Sequence, residues 1–230
     1  MSLAKELVLS GPPPGLTRAF RFVEKRRRQN YGDIVKNMES FILAQGAAEY
    51  KRPWNVTVQA FRRQNKRDES YSMMYLVDMS TSALEYQING FEVLAMKKDA
   101  TNSTRDDGLH RYNRTRWEVR REGIIHGKEY QWGDYAIRVG ARFIGSLEDS
   151  VMIEIEHTGL PEIHIGMKLI NTLAKQLARE SQSGEGALVL DYEYPVSVLE
   201  RLFEVHGIPL SEHGYGFSYE HIALQHKMMI

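Results

Sequence analysis

From Gly127 to His157 apolar and polar residues alternate with the period of two that marks a β-strand. Tyr135, Ile137, Val139, Ala141 and Phe143 share one face, with Arg138 and Arg142 on the other. After a gap, Val151, Ile153 and Ile155 share a face opposite Met152, Glu154 and Glu156. Gly133-Asp134 parts two alternating runs and reads as a two-residue hairpin loop. The stretch therefore predicts a three-stranded antiparallel meander. A turn over 145–149 would set Phe143 near Val151, Ala141 near Ile153 and Val139 near Ile155, all inward. Arg138 would then lie near Glu156 on the outer face, a cross-strand pair contributing roughly 0.2–1 kcal/mol. A one-residue slip would turn the apolar set outward, which fixes the parity of the pairing.

The rest of the chain supplies further strands and helices around this meander. Phe20 to Val23 predicts a short first strand. Trp54 to Phe61 and Tyr71 to Met79 predict two more, and Leu84 to Met96 predicts one or two, broken at Asn89-Gly90. Trp117 to Ile125 leads as a strand into the meander. Helical spacing of Ile34, Met38, Phe41 and Ile42 predicts a helix over 31–45, with Gly46 suited to its C-terminal cap. Met167, Ile170, Leu173, Ala174 and Leu177 predict another over 163–179. Pro195 opens a third, with Val198, Leu199, Leu202 and Phe203. Ser218 can cap a fourth that runs to Ile230. The fold class is α+β: an antiparallel β-barrel-like sheet flanked by about four helices, a single domain over 18–230 behind a Pro-rich lead-in over 1–17.

Composition changes this picture little. The chain has 230 residues, long enough for a substantial core, and a formal net charge of zero, which gives no global field toward nucleic acid or membrane. There is no cysteine, so disulfides, thiolate catalysis and cysteine-held zinc are excluded. Lys5 and Glu6 stand where an export signal needs an apolar block, and the protein is expected inside the cell. The sequons at Asn55, Asn102 and Asn113 then read as chance matches.

Candidate chemistry is sparse. No phosphate-binding loop, dinucleotide fingerprint, nucleophile elbow or zinc-protease motif occurs, and none of the eight histidines falls at a chelating spacing. Lys25 to Arg28 could serve as a nuclear localisation signal or a phosphate patch, against the plainer reading of a solvated loop. Arginines from Arg105 to Arg121, with Tyr112 and Trp117, allow single-stranded nucleic-acid binding, although Glu118 and Glu122 intervene. Glu154 and Glu156, on one face of a strand, could hold a divalent cation among basic strands, as in tunnel-shaped metal-dependent triphosphatases. Such enzymes need a second acidic strand, which the N-terminal region does not supply. The plainer reading is two outward glutamates paired with Arg138.

The central stretch resembles Mediator subunit 20, a component of the head module of the RNA polymerase II coactivator. The resemblance is carried by Gly127, Tyr130, Gln131, Trp132, Asp134, Tyr135, Ile137, Val139 and Gly140, then Ile153, Glu154, Ile155 and Glu156. Pro53-Trp54 and Met74-Tyr75 are similar to fungal members, and Tyr219 to Ile230 resembles the family's last helix. The resemblance implies a nuclear, non-enzymatic protein without cofactor. It would pair with Mediator subunit 18 and, through it, subunit 8, contacting the RNA polymerase II machinery without membrane or sequence-specific DNA binding. Tyr219, Ile222, Ala223, Met228 and Met229, at the apolar C-terminal end, are the expected partner contacts.

Overall fold

A computed structural model of the chain describes residues 15–24, 30–64, 71–89, 92–97, 117–158, 163–181, 188–190, 201 and 219–229. The strands are β1 Leu16–Glu24, β2 Ala48–Gln64, β3 Tyr71–Met79, β4 Leu84–Asn89, β5 Glu92–Lys97, β6 Glu118–Trp132, β7 Tyr135–Ile144, β8 Leu147–His157 and β9 Leu188–Leu190. They form one antiparallel sheet in the order β5-β4-β3-β2-β6-β7-β8-β1-β9. Its end strands β5 and β9 do not pair, so the sheet is barrel-like in outline but not closed. Three helices, not about four, occur among the described residues: α1 Tyr31–Ala44, α2 Ile163–Glu180 and α3 Tyr219–Met228. The helix expected from Pro195 lies outside the described residues, as do Lys25 to Arg28. None of the described helices is long and apolar enough to cross a membrane.

The helices form where the sequence caps them. Asn30 accepts a hydrogen bond from the Gly32 amide, satisfying a free donor at the start of α1, and Gly46 takes φ +86° just past its end. Ile34, Met38 and Ile42 of α1 and Met167, Ile170, Ala174 and Leu177 of α2 are buried. These two helices pack on each other and on the outer face of β7, β8 and β1. That face presents Ile137, Val139, Val151, Ile153, Ile155 and Phe20, all fully buried.

The third helix sits on the other side. It packs against β1 and also against β3 and β4, five and six strand positions away. Strands about 4.8 Å apart would hold β1 and β3 about 24 Å apart in a flat sheet, and a helix is only about 10–12 Å wide. The sheet must therefore curl around α3, which fills its concave face.

The meander forms as predicted in order but not in register. Gly133 takes φ +57° in the two-residue loop that pairs Trp132 with Tyr135. The next turn is also two residues long, pairing Ile144 with Leu147, and a bulge follows at Arg142/Phe143. The turn is three residues shorter than expected and the bulge gives one back, so β8 slides by two: Val139 faces Ile153, Ala141 faces Val151, and Arg138 faces Glu154. Parity is kept because the slip is even. The face expected to be solvated is not: Arg138, Arg142, Glu154 and Glu156 are all buried on the concave side. β1 begins at Leu16, inside the expected lead-in.

Gly127 and Gly140 are direct partners on β6 and β7. A Cβ on Gly127 would lie 2.7 Å from the Gly140 Cα, and one on Gly140 would lie 2.5 Å from the His126 carbonyl oxygen. The backbones approach at this point more closely than any side chain allows. Replacing either glycine with valine should force the strands apart and cost about 1–3 kcal/mol in urea denaturation. A variant as stable as wild type would show that this close approach is not required.

Candidate functional site

The concave face has two halves. On β2, β3 and β4, Trp54, Val56, Val58, Val77, Tyr86 and Ile88 form an apolar wall, each at most 4% exposed. From β6 to β1 the wall is charged. Arg138 Nε donates to Glu129 Oε2 at 2.7 Å, Nη1 to Glu154 Oε1 at 2.7 Å and Nη2 to Glu156 Oε2 at 2.9 Å. Arg142 forms a two-pronged pair with Asp149. Among the described residues, Arg138 and Arg142 on this wall thus meet four carboxylates, Glu129, Glu154, Glu156 and Asp149.

Helix α3 is gripped by both halves. Residues 221–226 are buried without a break, so every side of the helix meets protein. His226 Nε2 lies 2.6 Å from Glu154 Oε2, and the imidazole ring is 6.2 Å from that of Trp54. An ionised carboxylate can only accept, so His226 donates at Nε2. Gln225 is held differently: its Oε1 accepts from the Ala19 amide at 2.9 Å, and its Nε2 donates to the Thr17 carbonyl at 3.2 Å. The side-chain amide takes the place of a neighbouring strand on β1. The Met229 carbonyl, at the negative end of the helix, accepts from Arg21 at 3.3 Å and from Arg142.

These contacts set the protonation of the acids. Burial alone would push the Glu154 carboxyl up, but Arg138 and the His226 hydrogen bond outweigh it and hold the group below its ordinary value of 4.5. Asp149 is likewise held down by Arg142 against the effect of burial. For Arg138, burial opposes the charge but Glu154, Glu129 and Glu156 together raise its pKa. All are charged at neutral pH.

A cavity of about 10 Å³ lies between Val58, Ile125, Arg142, Met152 and His226, room for about one water. Among the described residues no three acidic or imidazole groups converge as metal ligands. The three carboxylates nearest to such an arrangement converge on the Arg138 guanidinium instead.

The sequence-predicted residues fall as follows. Glu154 and Glu156 do pair with Arg138, but inward. Glu129, the third acid, was missed, and its register position opposite Arg138 is the signal that would have found it. Of the expected partner contacts, Ile222, Ala223 and Met229 are buried, while Tyr219 and Met228 are half-buried against the core. Of the arginine-rich segment, 105–116 lies outside the described residues. Arg120 and Arg62 share Glu118 at 3.1 and 3.6 Å. Asn55 of the first sequon lies in β2, with its side chain 3.1 Å from His126 Nδ1.

No protein-family model matches the chain, and no curated protein sequence matches it either. Solved structures of similar fold exist. One is a Vibrio parahaemolyticus protein provisionally named an adenylate cyclase, at 12% identity and a TM-score of 0.41, covering 80% of this chain and 97% of that one. A chain of the Schizosaccharomyces pombe Mediator head module is similar at 13% identity and TM-score 0.35, covering 75% and 99%. A structure of an S. pombe RNA triphosphatase is similar at 9% and TM-score 0.36, covering 71% and 85%. The expectation of a non-enzymatic chain is withdrawn: the similar structures include proteins named as enzymes as well as a Mediator component. At these scores the likeness is one of fold and assigns neither activity nor partner.

Removing one member of a buried charge network leaves the others uncompensated, so Glu154→Ala should cost about 3–5 kcal/mol in denaturant unfolding. A loss under about 1 kcal/mol, the range of surface pairs, would show that the network is solvated. The pH dependence has a definite sign. Glu154 and Asp149 titrate lower when folded than unfolded, so their stabilisation is full above the ordinary carboxylate range and is lost as pH falls through their folded values. Stability measured from about pH 6 down to about pH 3 should fall less steeply in Glu154→Gln than in wild type. Equal slopes would remove Glu154 from the acid transition.

Proposed function

We propose that the chain acts as an interaction subunit, of the kind the Mediator head module contains, and works through its exterior. One observation carries this reading: the charged wall of the lumen is spent on holding the chain's own C-terminal helix. Arg138 is saturated by three acids, Glu154 is shared with His226, and Arg21 and Arg142 meet the Met229 carbonyl. A single α+β domain over 18–230 would pair with Mediator subunit 18 and, through it, subunit 8, in the nucleus. The pairing is tested by co-expression with subunit 18 and size-exclusion chromatography. The expected result is co-elution as a stoichiometric complex burying more than about 1,000 Å². Separate elution at micromolar concentration would refute the pairing.

A second reading, metal-dependent triphosphate hydrolysis, is favoured by one feature: guanidinium and carboxylate groups do face inward on neighbouring strands, the orientation a tunnel enzyme needs. It requires α3 to leave the lumen and Arg138 to yield its acids. Manganese-dependent phosphate release from tripolyphosphate, compared between wild type and Glu154→Gln, separates the two. Release that is lost in the variant, with folding intact by circular dichroism, would establish hydrolysis in place of the first reading.

A further inference from the structure

The two ends of the sheet are finished differently. At one end β9 is three residues long and is packed by α2. At the other end β5 has six residues, Glu-Val-Leu-Ala-Met-Lys, and among the described elements it packs substantially on β4 alone. Natural edge strands are blunted by an interior lysine, a proline, a bulge or a covering element. Between Val93 and Met96 the strand has no charge and no proline, and its pairing with β4 runs without a register shift. Its middle residue on the outer face, Leu94, is 47% exposed.

The backbone of this edge is ordered for pairing. Asn89 pairs with Glu92 across two intervening residues, so Asn89 and Glu92 close the hairpin as a hydrogen-bonded pair, and such pairs alternate from there. Gln87 with Leu94 and Glu85 with Met96 are then the next hydrogen-bonded pairs. The N–H and C=O groups of Val93, Ala95 and Lys97 point away from β4, toward the outside of the sheet.

We infer that this edge pairs with the same edge of a second copy of the chain, antiparallel about Leu94. The register is self-complementary. Val93 of one copy lies opposite Ala95 of the other, and each pair exchanges two hydrogen bonds. Leu94 meets its own equivalent at a non-hydrogen-bonded position, where side chains come closest. The one large apolar residue that β5 exposes is thereby covered; Val93 meets Ala95 beside it, and Glu92 meets Met96 at the next position on Leu94's face. A register shifted by two residues pairs Ala95 with itself and sets Leu94 beside Met96, leaving the two leucines apart. A single six-residue edge buries less than the roughly 1,000 Å² of a stable interface, so the dimer is weak and concentration-dependent. The inference holds under either reading of function, because β5 takes no part in the lumen's charged wall.

Sedimentation velocity of the full chain, from low micromolar to near-millimolar concentration, reads the association directly. Wild type should shift from monomer toward dimer across this range. Ala95→Pro removes an outward N–H and no bond to β4, so it should weaken association by roughly tenfold or more while leaving the thermal midpoint close to wild type. Leu94→Lys places like charges opposite each other at the two-fold and should do the same without any backbone change, which covers the case in which the proline variant does not fold. A wild type that stays monomeric throughout, or a dimer that persists in Leu94→Lys, would overturn the inference.

Discussion

One guanidinium holds the inner wall together. Arg138 lies on β7 and reaches acids on β6 and on β8, so three adjacent strands are tied at a single point on their concave side. Glu154 and Glu156 are buried, and Arg138 offsets what burial costs the Glu154 carboxylate. Glu154 then passes the connection to His226, which ties the C-terminal helix to the same point. The position of α3, the curl of the sheet and the filling of the lumen all depend on this chain of contacts. In an apolar interior, a network of this kind specifies one arrangement because any partial version leaves a charge unmatched.

Much of the architecture was legible in the sequence, and the reasons are local. Tyr71 to Met79 and the loop at Gly133-Asp134 announce themselves through alternation and turn chemistry, and the stripes of α1 and α2 through helical period. The error lay in the meander's second face. Arg138, Glu154 and Glu156 alternate with apolar residues as they would on a solvated sheet, and no local signal distinguishes a charge in water from one buried against its partner. Burial of that face is decided by α3, more than sixty residues further along the chain. A two-residue turn in place of a five-residue one, with a bulge at Arg142/Phe143 giving one position back, moved the register by two, a change that periodicity cannot detect.

The candidate site shows the same limit. Pairing of Arg138 with Glu156 could be anticipated from parity, whereas Glu129 and His226 enter only once β6 and α3 are placed. The C-terminal helix was recognised as apolar and in need of a surface, but whether that surface belonged to the chain or to a partner is a tertiary question. The buried Gln225 gives no hint in the sequence that its amide would satisfy a strand.

That amide joins the helix to β1 in a way unlike the joints between strands. Everywhere else, neighbouring strands are joined by a ladder of main-chain bonds that almost any residue can supply. Between β1 and the helix, the ladder is replaced by one glutamine reaching the Ala19 amide and the Thr17 carbonyl. This attachment of the helix to β1 is thus set by side-chain identity at a single place, so sequence drift there would free the helix from β1 at that point while every strand kept its neighbours.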